Sequence, residues 1–268
     1  MATISRNIGP SRALRRQEVV TLLRGVSGVV VLALIVELLA AVGPASWQIP
    51  NLKQLGVEVY RFVGSDPQFV GALLHTLWVV VLSLAVALAA GVLVGVLLAL
   101  SRGSYRALTL LLELVRPVPA IALIPLMILA LGQGQSMEIA VTAFAAWWPI
   151  MFNALYGARG VEPLTLQTAR VFGLRKAQTT ARVILPATLP MIVTGLRVAA
   201  PLALIVAVGA EYLATAGQGL GGVLIQATST GDLLVLWAAA VVTGVLGLVL
   251  GGLVWLVGKV ACPWSTEW

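Results

Sequence analysis

Residues 157–190 read GARGVEPLTLQTARVFGLRKAQTTARVILPATLP and lie between two long apolar runs. This stretch is the longest polar interruption in the second half of the chain, and its cations are Arg159, Arg170, Arg175, Lys176 and Arg182. Glu162-Pro163 predicts the start of a helix, because proline fixes φ where the first N–H has no partner and an acid favours the positive end of the helix. Gly173 predicts the end of that helix.

A second short helix is predicted after Gly173, with Pro186 as its end. Its apolar residues fall at near-helical spacing along one side and its basic residues along the other; the apolar set is Leu174, Ala177, Ala181, Ile184 and Leu185. Two short amphipathic helices joined at a glycine can bury an apolar stripe only against another protein or the bilayer surface. A basic loop lying on anionic lipid headgroups is therefore the alternative to a protein-docking segment.

The composition predicts a polytopic membrane protein. Apolar residues make up 60% of the chain and charged residues 10%, and the mean hydropathy is +1.02. These values exclude an ordinary soluble domain. The basic residues sit in short clusters between apolar runs, which favours membrane topology over nucleic-acid binding.

Six membrane-spanning helices are expected from the apolar runs, each near the ~20 residues that a span requires. They are Val26 to Val42, His75 to Leu100, Ala107 to Leu131, Glu138 to Tyr156, Met191 to Tyr212 and Leu233 to Gly258. Gly91 and Gly95 form a GxxxG pair that would let another helix approach closely, although glycine is simply frequent in membrane helices. The prolines of the third run, at 117, 119 and 125, predict a broken or kinked helix that faces protein, and residues 217–222 are expected to form a flexible glycine-rich loop.

An even number of spans places both chain ends on one side, and the positive-inside rule identifies that side as the cytoplasm. The predicted divisions are a cytoplasmic tail over 1–25, a first span and periplasmic segment over 26–70, a core of five spans over 71–258, and a cytoplasmic tail over 259–268. The same rule places segment 157–190 in the cytoplasm, using run lengths and charge alone.

At segment 157–190 the sequence resembles the permeases of binding-protein-dependent ABC importers. Gln167-Thr168-Ala169-Arg170-x-x-Gly173, followed after nine residues by Val183-Ile184-Leu185-Pro186, is similar to the Glu-Ala-Ala loop of that family, with Gln167 in place of the usual Glu and Val183 in place of the usual Ile. The resemblance implies that this loop is a coupling helix docking on a cytoplasmic ATPase. The implied docking residues are Glu162, Gln167, Thr168, Ala169, Arg170, Gly173, Val183, Leu185 and Pro186.

Further motifs resemble the nitrate, sulfonate and taurine branch of the family. They are residues 116–126, 132–134, 157–163 and 194–197, Glu211, and residues 219–221. The resemblance implies an all-α permease of the type I importer kind in a bacterial inner membrane. Its implied partners are a second permease copy, two ABC ATPase subunits and a periplasmic or lipid-anchored solute-binding protein.

The chain lacks the residues for chemistry of its own. Gly258-Lys259 is the only Gly-Lys pair, but Val260 and Leu253 do not fit a P-loop, so ATP and Mg²⁺ are expected on a partner subunit and no cofactor on this chain. The single cysteine, Cys262, and the single histidine, His75, argue against a Cys/His metal cluster, so no metal site is expected. Enzyme activity is not expected either.

Ionisable and aromatic residues within the spans are the candidates for the translocation path. Glu211, beside Tyr212, is expected either to help gate the outer mouth or to be a carboxylate bonded to a neighbouring helix. Arg116 either attracts an anion or extends its charge to the cytoplasmic interface. Trp147 and Trp148 either line a cavity or pack as core.

Together these observations predict the permease subunit of an ATP-driven importer that moves a small solute inward by alternating access. The branch resemblance implies an anionic solute, such as a sulfonate, taurine or nitrate. The alternatives are a permease for a non-anionic organic solute and an ion-gradient-driven secondary transporter, which would need an ion site at a repeat interface.

Overall fold

The computed structural model describes residues 27–28, 30–31, 33–42, 49–214 and 218–265, apart from the side chains of residues 102, 104, 106 and 109. Every regular element in these ranges is a helix, which confirms the all-α prediction. The chain divides into two compact units, Met1–Glu58 and Val59–Trp268. The predicted tail over 1–25 lies outside the described residues.

The helices are numbered in chain order. They are α1 Ala33–Val42, α2 Leu52–Ser65, α3 Pro67–Leu100, α4 Arg102–Val115, α5 Ile124–Leu131, α6 Gln135–Arg159, α7 Pro163–Val171, α8 Lys176–Thr179, α9 Leu185–Leu213, α10 Gly219–Thr230 and α11 Leu233–Ala261. A 3₁₀ turn, Ala120–Leu123, precedes α5, and a π-helical segment, Thr180–Ile184, joins α8 to α9.

Among the described residues, four helices are long and apolar enough to cross a membrane: Pro67–Leu100, Gln135–Arg159, Lys176–Leu213 and Leu233–Ala261. They contain the predicted second, fourth, fifth and sixth spans, so a multi-pass membrane fold is confirmed. Helix α1, in the first unit, is shorter, and the predicted first span extends beyond the described residues. The count of six spans stays a prediction.

The predicted third span is broken, as its prolines indicated. Helix α4 ends at Val115, and the chain resumes as the 3₁₀ turn Ala120–Leu123. Pro117 and Pro119 cannot donate backbone hydrogen bonds, and their rings clash with the preceding turn of an α-helix. Pro125 then occupies the first turn of α5, where no donor is required.

Helix α6 packs between α3 and α9, and the close approach depends on glycine. A Cβ on Gly95 of α3 would lie 2.5 Å from the carbonyl oxygen of Met151 and 2.9 Å from Cβ of Ala154. A Cβ on Gly91 would lie 3.1 Å from Ile150 Cγ2. The GxxxG pair is therefore a helix-packing surface, which is the first of the two alternatives that the sequence left open.

Two local predictions were wrong. Pro186 does not end the second helix of segment 157–190, because the π-helical segment leads directly into α9 and Pro186 occupies its first turn, where a missing N–H costs little. The glycine-rich stretch predicted as a flexible loop contains the start of α10 at Gly219. The N–H groups at that helix start donate hydrogen bonds to buried side chains of α3 and α9. Those side chains lie outside the glycine-rich stretch, so the local pattern does not show the contact.

Candidate functional site

Segment 157–190, called the coupling segment after the resemblance given above, contains the last turn of α6 and then α7. Pro163 occupies its first turn after Glu162, and Phe172 is the last residue before the turn. Gly173 adopts φ of +73°, and the Leu174 N–H donates to the Ala169 carbonyl over 3.1 Å. This six-to-one bond across a left-handed glycine is a Schellman end. The predicted helix start at Glu162-Pro163 and the end at Gly173 are both present.

A few buried side chains hold the coupling segment against the ends of α3 and α6. Ile184 is 7% exposed and packs in one cluster with Val96 of α3 and Ala158 of α6. Leu166 and Leu185 pack against the same cluster. The segment is therefore a folded projection of the helical bundle with its own attachment surface.

Large apolar side chains remain exposed at both ends of α7. Val171 is 87% exposed, Phe172 80% and Leu164 63%. Sequence analysis did not select these three residues. The sequence signal for two of them is that Val171 and Phe172 directly precede Gly173, where the helix is predicted to end.

A cleft of about 580 Å³ lies between α7, the end of α6 and the π-helical segment. Its lining includes the cations Arg159, Arg170 and Lys176, together with Gln167. The Arg159 guanidinium also lies 3.6 Å from the centre of the Tyr105 ring. The cleft therefore carries a positive charge beside the exposed apolar turn.

The remaining predicted docking residues are spread over the segment. Ala169 is buried, and the hydroxyl of Thr168 donates to the Leu164 carbonyl within α7 over 2.9 Å. Val183 and Leu185 are half-buried, and Pro186 is exposed. Glu162 and Pro186 are therefore accessible to a partner, whereas the buried Ala169 packs inside the segment.

At the opposite end of α6 and α9 lies a buried polar network centred on Glu211. Thr76 of α3 donates its hydroxyl hydrogen to Glu211 Oε2 over 2.9 Å, and the Gly221 N–H donates to the same oxygen over 2.9 Å. The Leu220 N–H donates to Thr76 Oγ1 over 2.8 Å. Glu211 and Thr76 thus bind the free N–H groups at the start of α10, where the helix dipole favours a negative charge. A Cβ on Gly219 or Gly221 would overlap this network.

His75 and Glu138 extend this network to α6. His75 Nε2 lies 3.0 Å from Glu138 Oε2, and one potential ligand atom each of His75, Glu138 and Glu211 lie within 4.8 Å of one another. Glu138 and Glu211 are both 0% exposed, and Oε1 of each has no hydrogen-bond partner among the described residues. From the sequence, Glu211 was a candidate path residue and His75 only the single histidine, while Glu138 was only the first residue of a predicted span.

The broken third span forms one wall of a second cavity, of about 460 Å³, which we call the Arg116 cavity. Arg116 and Trp148 line it together with Phe144, and Val198, Leu202 and Ile205 of α9 form the facing wall. The Arg116 guanidinium lies 5.1 Å from the centre of the Phe152 ring. Trp148 is 7% exposed and its Nε1 has no partner among the described residues. Arg116 places a cation in a largely apolar lining, and a cation in such a cavity can bind a small molecule with a negative group.

The other two predicted path residues lie elsewhere. Trp147 packs edge-on against Trp148 with ring centres 4.7 Å apart. Tyr212 is half-buried next to Glu211, at the end of α9. The candidates are therefore divided between the Arg116 cavity and the buried network, rather than forming a single site.

Comparison with known proteins identifies the family. Residues 87–259 match the family described as "Binding-protein-dependent transport system inner membrane component". The chain is 31% identical over 204 residues to the nitrate import permease protein NrtB of Leptolyngbya laminosa, an alignment that covers 76% of this chain and 73% of that protein. It is 36% identical over 142 residues to the taurine transport system permease protein TauC of Escherichia coli K12, covering 53% and 51%.

The chain therefore spans about half the length of some of the curated relatives it matches. The fold also resembles a solved chain of the MetNI methionine ABC transporter in an inward-facing conformation. The TM-score is 0.62 at 20% identity, covering 72% of this chain and 96% of that chain. The match over residues 87–259 takes in α6, the coupling segment and α9, and the chain belongs to the family of binding-protein-dependent transport system inner membrane components.

Proposed function

We propose that this chain is the membrane-spanning permease subunit of an ATP-driven importer, working by alternating access. Family membership supports the class of protein, and the shape of the coupling segment supports the mechanism. In this proposal a separate ABC ATPase hydrolyses ATP and a solute-binding protein delivers the solute from outside. No cofactor is assigned to this chain in the transport cycle.

The observation that carries the proposal is the exposed apolar turn of α7. Val171 and Phe172 are exposed at 87% and 80%, on a projection held in place by Gly173 and by the buried Ile184. Large exposed side chains on a well-packed projection are typical of a protein-docking surface. The cations of the adjacent cleft would attract an acidic rim on the ATPase.

The proposed orientation has the coupling segment and both chain termini in the cytoplasm, as the positive-inside rule predicts. Glu138 lies near the start of α6, and the coupling segment begins in the last turn of the same helix. The buried network then lies toward the outer face, about 30 Å from the coupling segment at the rise of an α-helix. This is the place where Glu211 and Tyr212 would act on an outer gate.

The Arg116 cavity is the proposed solute path, with Trp148 in its wall and Trp147 packed behind. Its α9 wall includes Val198 and Ile205, which are 54% and 62% exposed in the single chain. A second copy of the permease facing this wall would enclose the path. We propose a solute with an oxyanion group, since the named solutes of the two relatives above, nitrate and taurine, both carry one and Arg116 can bind it with paired N–H donors.

Thiol labelling tests the orientation, because the chain has one cysteine, Cys262, and it is buried. Phe172→Cys should react with a membrane-impermeant maleimide only from the cytoplasmic side of oriented vesicles. Ser229→Cys, an exposed position near the end of α10, should react only from outside. The reverse labelling would overturn the docking assignment.

Cross-linking in the complex with the co-expressed ATPase tests the partner. Phe172→Cys should form a cross-link to the ATPase subunit, and Ser229→Cys should not. Uptake of nitrate or taurine should require an ATPase able to hydrolyse ATP. Uptake that follows an ion gradient without the ATPase would favour a secondary transporter instead.

A further inference from the structure

We propose that His75, Glu138 and Glu211 form a binding site for one divalent transition-metal ion of the Zn²⁺ type. The site lies at the end of the helical bundle opposite the coupling segment. It joins α3, α6 and α9, and potential ligand atoms of the three side chains lie within 4.8 Å of one another. This proposal does not depend on which solute is transported.

Charge balance is the first argument. Glu138 and Glu211 are both 0% exposed, and a buried carboxylate is strongly unfavourable without a compensating positive charge. A protonated His75 would balance one of the two negative charges. A divalent ion bound by a neutral imidazole and two carboxylates balances both.

Unused ligand atoms are the second argument. In each carboxylate Oε2 is hydrogen-bonded, to His75 in the case of Glu138 and to Thr76 and Gly221 in the case of Glu211. Oε1 of each has no partner among the described residues, although buried polar atoms are nearly always paired. An ion between the two carboxylates would be coordinated by these unpaired Oε1 atoms.

The donor set fits the chemistry. Imidazole nitrogen and carboxylate oxygen bind zinc at about 2.0–2.2 Å, and a set of three protein ligands leaves a position for water. The side chain of His75 is 19% exposed, which provides a route for the ion and the water. Binding would require the ligand atoms of the three side chains, which lie within 4.8 Å of one another, to move toward a common centre.

The surrounding hydrogen bonds would orient Glu211 as a ligand. Thr76 and the Gly221 N–H both bind Oε2 and restrict rotation of the carboxylate. Contacts of this kind to metal ligands tune metal affinity. The sequence-based expectation of no metal site considered cysteine and histidine, whereas this donor set depends on two carboxylates that only the fold brings to His75.

The test uses the full-length chain, purified in detergent, stripped with a chelator and titrated with Zn²⁺, and with Co²⁺ as a spectroscopic substitute. One ion per chain should bind, Co²⁺ should give visible d–d absorption, and Zn²⁺ should raise the unfolding temperature. Glu138→Gln, Glu211→Gln and His75→Gln should each weaken binding more than tenfold. Glu113→Gln removes an exposed carboxylate of α4 and should bind as the wild type does.

If a carboxylate variant folds poorly, Zn²⁺ and Co²⁺ binding by the wild-type protein decides the test. Absence of Zn²⁺ and Co²⁺ binding by the folded wild type would overturn the proposal and assign the balancing charge to protons. Binding with equal affinity in the wild type and His75→Gln, the variant at the partly exposed ligand, would also overturn it. If the carboxylate variants cannot be measured, His75→Gln is sufficient. Loss of the Zn²⁺-dependent stabilisation in this variant, with Glu113→Gln behaving as the wild type, would support the proposal.

Discussion

The hydroxyl of Thr76 in α3 donates a 2.9 Å hydrogen bond to Glu211 Oε2 in α9, across 135 residues of sequence. The same hydroxyl accepts a hydrogen bond from the N–H of Leu220 at the start of α10. One buried side chain therefore connects three helices at one end of the bundle. This relationship explains why a helix, α10, begins within the glycine-rich stretch.

Thr76→Val should destabilise the protein. The substitution keeps the shape of the side chain but removes the donor to Glu211 and the acceptor for Leu220, and a buried polar group without its partner costs about 1–3 kcal/mol. Thermal unfolding in detergent measures the loss. Thr243→Val is the control, because the Thr243 hydroxyl bonds only the Ala239 carbonyl of its own helix among the contacts described. An equal loss in both variants would contradict the connecting role of Thr76.

Gly221→Ala should also destabilise the protein and disturb the start of α10. A Cβ at this position would lie 2.5 Å from Tyr212 N and 2.6 Å from Glu211 Cβ, which are closer than side-chain carbons pack. Gly251→Ala in α11 is the matched control, since its Cβ would meet no atom of the described residues within 4 Å. Replacing a mid-helix glycine by alanine there should stabilise the helix by up to about 1 kcal/mol. Unchanged unfolding of Gly221→Ala would show that α10 can move away from Glu211.

Gly173→Val should abolish ATPase-driven uptake while leaving membrane insertion intact. Gly173 has φ of +73°, and a β-branched residue is strongly disfavoured there, so the turn between α7 and α8 would be rebuilt. Gly173→Asn should retain part of the uptake, because asparagine tolerates this conformation. Uptake and co-purification of the ATPase are the two measurements. Full uptake by Gly173→Val would remove the coupling segment from the mechanism.

Arg116→Gln should lower the uptake of an oxyanion solute at least tenfold. The substitution removes the cation that lines the Arg116 cavity while leaving the coupling segment unaltered. One charge-assisted hydrogen bond contributes about 1.5–3 kcal/mol, which is a factor of ten or more in affinity. Arg116→Lys should recover part of the uptake. Lys259→Gln, which changes the net charge equally at the end of α11, should transport as the wild type does. Equal uptake by Arg116→Gln and the wild type would place Arg116 at the interface, away from the path.

Local physics accounts for the features that sequence analysis predicted correctly. Pro163 and Gly173 act on the backbone torsions of their own turn, so the start and end of α7 followed from residue type. The prolines of residues 117–125 broke the third span for the same reason. Long apolar runs identify membrane spans, because backbone groups in lipid must pair within the helix.

Pro186 and the stretch 217–222 show where the same reasoning failed. Pro186 lies in the first turn of α9, directly after the π-helical segment, where a missing N–H costs little and does not end the helix. The glycines after α9 indicated flexibility when considered alone. In the structure Gly219 and Gly221 provide the space that lets α10 begin on the Glu211 carboxylate.

The amino-acid sequence alone determined the class of the protein, the apolar spans and the torsions of the α7 turn, because hydrophobicity and backbone preference act over a few residues. The tertiary structure decided which polar side chains meet. Glu138 lies 63 residues from His75 along the chain, yet their side chains are 3.0 Å apart. That convergence depends on the packing of α6 between α3 and α9, which no local pattern encodes.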